Sequence, residues 1–259
     1  LPLIKNVQKV WEEKHDEIIS GGQALAGAVE SSMRGRLALQ PVQLDEELIQ
    51  QVQQSLAEQY DAEIMVDDAH ALGVLGENGG GTAQHFHLED KVSLIMSSFS
   101  KSLAAIGGVV AGPEPVIHYL KHHARSLIFS ASMPPASVAT VLTALQIIEE
   151  EPERREALWR NTHRMQDGLR SLGYDLGGSD TPVIPIIVGD MWLMGMIWKE
   201  LFDSGIFTNP VIPPAVPENS CRVRISMMAT HTDEQIDFVL DVFARIRPHI
   251  QVEREQVAV

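Results

Sequence analysis

Ile64-Met65-Val66-Asp67-Asp68-Ala69-His70 opens the informative part of this chain. A short apolar run ends in two carboxylates and a histidine, and glycines follow at positions 73, 76, 79, 80 and 81. A buried strand running into a polar, glycine-rich loop is the pattern of an α/β sheet whose carboxyl strand ends carry the site. Val92–Met96 and Val109–Ala111 read as two more strands of that sheet.

Downstream stands Ser98-Phe99-Ser100-Lys101-Ser102-Leu103, a lysine among small hydroxyl residues at the end of an apolar run. Lys is almost never fully buried without a partner. One chemistry that uses such a lysine holds its ε-amine in a dry pocket, where it forms a Schiff base with a carbonyl cofactor. The common alternative is a solvated lysine at a strand-to-loop junction.

Outward from these stretches, Pro113–His123, Pro134–Glu151 and Pro152–Leu172 read as helices, the last with proline suited to its first position. Beyond Gly173 the order changes to a smaller α+β unit. Val183–Val188 is a strand whose Pro185 points to an edge position. Asp190 caps a helix through Phe202, and Arg222–Ser226 alternates as a strand does. Thr232-Asp233-Glu234-Gln235 has capping-box spacing and opens a final helix to about Ile246, with residues 249–259 polar enough to fray. Towards the N-terminus, Ile4–Ile19 and Asp45–Tyr60 read as helices without visible chemistry. The division expected is a helical segment over 1–60, part of a large domain over 61–160 and a small C-terminal domain over 161–259.

Composition sets outer limits. The formal charge of -15 argues against a nucleic-acid partner. A single cysteine, Cys221, leaves no internal disulfide and fits a reducing compartment, so the cytoplasm is the expected location. No Cys/His spacing suggests a metal site. The opening residues lack the apolar core of a signal peptide. Met191–Trp198, the most apolar window, is too short to span a bilayer and reads as a core or subunit-interface helix.

Taken together, Asp67-Asp68-Ala69-His70-Ala71-Leu72-Gly73, Gly76-Glu77-Asn78-Gly79-Gly80-Gly81, Ser98-Phe99-Ser100-Lys101-Ser102, Phe129–Pro135 and Arg224–Thr232 resemble the α-oxoamine synthases, a family of pyridoxal-phosphate enzymes. The similarity runs from about Glu63 to Ile246, and the order of the motifs is more specific than any one of them. It implies an α/β, type I pyridoxal-phosphate transferase fold, with a mostly parallel sheet in the large domain and a small C-terminal α+β domain. Within residues 1–60 only Leu44–Tyr60 resembles the family, as the helix that precedes the Asp67 strand, so the large domain is expected to be incomplete on its N-terminal side. Gly80 stands where the family has an arginine.

The resemblance also implies roles. Asp67 matches the carboxylate that keeps the pyridine nitrogen protonated, which an electron sink needs. His70 matches the residue hydrogen-bonded to the cofactor's phenolic oxygen, and Lys101 the Schiff-base lysine. Ser98 and Ser100 suit the cofactor phosphate, with Ser130 or Ser132 contributing from a neighbouring subunit of a homodimer. Arg224 matches the arginine that holds an amino-acid carboxylate, with Arg222 on the same strand face a competitor. The implied activity is condensation of an amino acid with an acyl-CoA thioester, with pyridoxal 5'-phosphate as cofactor. The alternatives are a catalytically silent remnant or interaction subunit, and an aminotransferase on the same lysine. Each implied role has an ordinary reading beside it: a loop-capping Asp, a structural His, turn serines and a solvated strand arginine.

Overall fold

The computed structural model describes residue 57 and residues 60–257, the stretch from 248 onward by its backbone alone. The helix expected over Ile4–Ile19, and most of the one over Asp45–Tyr60, lie outside the described residues.

Strands β1 (Met65–Asp67), β2 (Leu94–Ser98) and β3 (Gly108–Ala111) form one sheet in that order. β1 runs parallel to β2, with Asp67 beside Met96, and β3 runs antiparallel to β2, with Gly108 beside Ser98. The described part of this sheet is therefore mixed. β2 lies two residues later than the apolar run suggested, because Ser97 and Ser98 continue the ladder with β3. β1 was expected to be buried, yet Met65 is 55% exposed. Among the described residues no strand pairs with its outer edge.

Helices α1 (Thr82–His85), α2 (Glu114–His123), α3 (Arg125–Ile128), α4 (Pro135–Glu150) and α5 (Pro152–Ser171) come next; α2, α4 and α5 are those read from the sequence, and the four-residue α1 and α3 were not expected. Proline opens α5 at its first turn, where its missing N–H costs nothing. The C-terminal part contains β4 (Val183–Gly189), α6 (Met191–Asp203), β5 (Asn209–Val211), β6 (Cys221–Ser226) and α7 (Asp233–Val257). Its sheet has the order β4-β6-β5, all antiparallel, so Pro185 does sit on an edge strand. Asp190 caps α6 through Leu193 N–H at 2.8 Å. Thr232 and Gln235 exchange the reciprocal bonds of the capping box, 3.0 Å from Thr232 N–H to Gln235 Oε1 and 3.3 Å from Gln235 N–H to Thr232 Oγ1. α7 runs past Ile246 to Val257, further than expected. Polar residues such as Glu253, Arg254 and Glu255 are good helix formers, and no glycine interrupts them.

The larger core lies in the C-terminal part, where Leu169, Ile184, Leu201, Val223 and Phe243 are fully buried between β4-β6 and the helices α5, α6 and α7. On α6, Leu193, Met194, Ile197 and Leu201 face this core, while Met191 and Trp192 face outward. A smaller cluster of Phe99, Leu103 and Val141 packs with Leu72, Ala144 and Ile148 beneath the lysine loop.

Candidate functional site

At the end of β1, adjacent carboxylates do different work. Asp68 is fully buried and its carboxylate accepts Thr82 N–H at 3.0 and 3.1 Å, which fixes the far end of the glycine loop. Asp67 faces the other way: Oδ1 accepts Ala69 N–H at 3.0 Å, and the side chain lines a cavity of about 1310 Å³. Successive strand residues point to opposite faces, so a strand end offers one of the pair to the core and the other to a site.

His70 follows on the turn and lines the same cavity. Burial pushes its pKa below the ordinary 6.5, the Lys101 and Arg224 charges push it further down, and Asp67 pushes it back up. Asp67, His70, Lys101 and Arg224, from three separated stretches of chain, line the same cavity.

Lys101 is aimed by its neighbours. Phe99 and Leu103 are buried on the under side of the loop, and Ala105 N–H returns to Phe99 O at 2.8 Å. The residues between those two anchors turn outward, and Lys101 Nζ donates to Ser98 Oγ at 3.0 Å. The lysine expected in a dry pocket is exposed in this structure, because the cavity it lines is open to solvent.

Arg224 projects from β6 into this cavity, whereas Arg222 does not reach it and donates through Nε to Ser220 O at 3.1 Å. Arg224 is weakly held: Nη2 lies 3.5 Å from Asn209 Oδ1, and its buried Nε has no partner. Ser98 supports the lysine. Ser100, Ser130 and Ser132 are exposed and lie outside the cavity lining; Ser130 Oγ is turned back onto Ser126 O. His231 takes no part in the lining and orders a turn, its Nδ1 accepting Met228 N–H at 3.2 Å.

Sequence reasoning missed the residues that hold these loops. Asn161 and Gln166 on α5 are buried amides bonded to loop carbonyls on either side of the cavity wall. The signal was present: Asn161 and Thr162 interrupt the apolar stripe of Leu158, Met165 and Leu169 at helical spacing. A polar residue on a core-facing stripe needs a partner.

Residues 42–243 match the aminotransferase class I and II family. A serine palmitoyltransferase of Sphingobacterium spiritivorum is 52% identical over 198 residues, which cover 76% of this chain and 50% of that protein. An 8-amino-7-oxononanoate synthase of Fervidobacterium nodosum is 41% identical, covering 74% of this chain and 48% of that protein. Among solved structures, a high-resolution structure of SPT with PLP internal aldimine superposes with a TM-score of 0.73 at 33% identity, covering 77% of this chain and 50% of that one. The architecture is therefore that of the type I pyridoxal-phosphate transferases, an α/β fold with a small C-terminal α+β part. The chain belongs to the aminotransferase class I and II family and, within it, to the α-oxoamine synthases. It spans about half the length of the curated relatives it matches.

Proposed function

We propose that this chain carries the lysine and carboxylate-binding side of a site that condenses an amino acid with an acyl-CoA thioester. The observation that carries this reading is the convergence of Asp67, His70, Lys101 and Arg224 on one cavity, with a buried Arg224 Nε still lacking a partner. The donor set suits pyridoxal 5'-phosphate. Lys101 would hold its aldehyde, Asp67 its ring nitrogen and His70 its phenolic oxygen, whereas Ser98 and Ser100, implied by the resemblance for its phosphate, lie outside the cavity lining. Ser130 and Ser132 are exposed and lie outside this cavity's lining, which fits a contribution to a neighbouring subunit's site in a homodimer. When bound, the cofactor supplies an electron-poor ring that stabilises negative charge on the substrate's α-carbon.

The protein's own residues do the rest. Arg224 offers a planar pair of N–H donors to the substrate carboxylate and so orients the α-carbon. A neutral His70 can donate one hydrogen bond without adding charge. Once the substrate's own amine has displaced it from the aldehyde, the freed ε-amine of Lys101, steered by Ser98, would be the base that carries a proton to and from the α-carbon. We place the domain boundary near residue 160, within α5, and the protein in the cytoplasm, a compartment that suits its buried free Cys221.

Mixing purified protein with pyridoxal phosphate tests this. A visible absorbance band is expected and, after borohydride reduction, a mass increase on the peptide containing Lys101; both vanish in Lys101→Ala. Absence of band and mass shift from the unmutated protein counts decisively against the proposal. Product analysis with and without acyl-CoA separates condensation from transamination.

A second reading, an interaction subunit, is favoured by Ile106 and Phe129, which are 80% and 79% exposed on the larger-domain part. Large apolar side chains left this open to water are a common feature of association surfaces. Robust turnover by the isolated chain would eliminate this second reading. No described helix is long and apolar enough to cross a membrane.

A further inference from the structure

Along α5 a row of side chains leaves the helix to hold loop carbonyls around the cavity. Arg155 Nη2 donates to Glu77 O at 2.8 Å and Trp159 Nε1 to Val74 O at 3.2 Å, both in the glycine loop that follows His70. Asn161 Nδ2 lies 3.1 Å from Met228 O, 3.3 Å from Ala229 O and 2.8 Å from His231 O, in the turn after β6. Gln166 Nε2 donates to Ser179 O and Thr181 O, both at 3.2 Å, in the loop before β4. One helix thus ties the loop of Asp67 and His70 to the loops that flank Arg224.

Asn161 is the most constrained member of the row, with no exposed surface. Its amide has two hydrogens for three carbonyls, so the contacts are shared and the turn is drawn in around a single nitrogen. From the other side, His231 Nδ1 accepts Met228 N–H, so the turn is gripped twice. Met228 and Ala229 line the cavity and Asn161 does not. Arg224 has little of its own to fix it, given its 3.5 Å contact to Asn209 and its unpartnered Nε. Its aim depends on the wall beside it.

We propose that Asn161 is a positioning residue that sets the Met228–His231 turn, and through it the reach of Arg224 toward a substrate carboxylate. This rests on the reading of Arg224 given above. Losing the clamp loosens one wall while leaving Asp67, His70 and Lys101 in place, so substrate carboxylate binding suffers and cofactor uptake does not.

The test compares Asn161→Ala with Arg164→Ala, an exposed α5 residue paired to Asp233 and Asp237 away from the cavity lining. Amide hydrogen exchange is followed at Ala229–His231, together with titrations of pyridoxal phosphate and of L-serine onto the cofactor-loaded protein. In Asn161→Ala, exchange at the turn accelerates and L-serine affinity falls ~10-fold, the scale of one or two lost hydrogen bonds. Pyridoxal phosphate affinity stays within about twofold of the unmutated protein, and Arg164→Ala changes none of these beyond the same margin. Asn161→Ser keeps one donor and gives an intermediate result if the alanine variant does not fold. Unchanged exchange at the turn, or parallel losses of cofactor and L-serine affinity, would overturn the proposal. If the unmutated protein takes up no pyridoxal phosphate, the proposed function falls, and the exchange comparison alone still decides whether Asn161 holds the turn.

Discussion

Asp68 accepts the backbone N–H of Thr82 through both carboxylate oxygens, closing the glycine loop over the end of β1. The closure leaves no room at Gly81, whose φ is +94° and where an added Cβ would stand 1.9 Å from Asp68 Oδ2. The atoms in the way belong to a buried, hydrogen-bonded carboxylate that cannot swing aside. Gly81→Ala is therefore expected to cost ~2–4 kcal/mol, combining backbone strain with a displaced buried charge. Denaturant unfolding measures this; a loss below about 1 kcal/mol would mean that the loop opens easily.

His70 titrates below 6.5, through burial first and then the Lys101 and Arg224 charges, with Asp67 opposing them. The unfolded chain therefore takes up this proton before the folded chain does. Above pH 6.5 the group contributes nothing to pH dependence, and as pH falls below 6.5 toward the lowered value, stability declines. In an NMR titration the His70 midpoint should rise in Lys101→Ala and in Arg224→Ala, and fall in Asp67→Asn. A midpoint indifferent to Lys101 would show that the two groups do not share an environment.

Arg224 and Arg222 share a strand face, but only the first reaches the cavity. On the proposed reading, with L-serine as the amino-acid probe, Arg224→Ala should weaken its binding to the cofactor-loaded protein by roughly 10- to 150-fold, the range for a hydrogen bond to a charged group. Arg222→Ala should stay within about threefold, since it removes a bond to Ser220 O at the strand's start. Equal effects would remove the distinction.

In the C-terminal core, Tyr174 donates to Phe243 O at 2.9 Å and burial pushes its phenol up from 10.0 to about 12. The folded state keeps this proton when the unfolded chain has lost it. The associated stability is whole below pH 10 and disappears as pH rises through about 12. Tyr174→Phe should remove that alkaline slope and cost ~1 kcal/mol at neutral pH, read from paired unfolding curves.

Much of this was written locally. The Thr232/Gln235 box, the Asp190 cap and the proline at the start of α5 are signals whose partners lie within a few residues, so the sequence displays them directly. The Asp67, His70 and Lys101 motifs were legible for the same reason, as strand ends followed by turns. The exposure of β1 and of Lys101 was not legible, because burial depends on what pairs with an edge and on how far a cavity opens to water. The extent of α7 was underestimated, since polar composition was read as fraying where helix propensity was favourable.

From its own residues the chain settles where strands end, where helices begin and which families it resembles, because those choices depend on neighbours along the backbone. Packing alone set Arg224 in the cavity and Arg222 outside it, divided the labour of Asp67 and Asp68, and gave Asn161 its carbonyls, although the motif resemblance had already favoured Arg224. These depend on how α5 lies against loops distant in sequence, and a hydrogen bond across such a separation has no local signature beyond a polar residue on an apolar stripe.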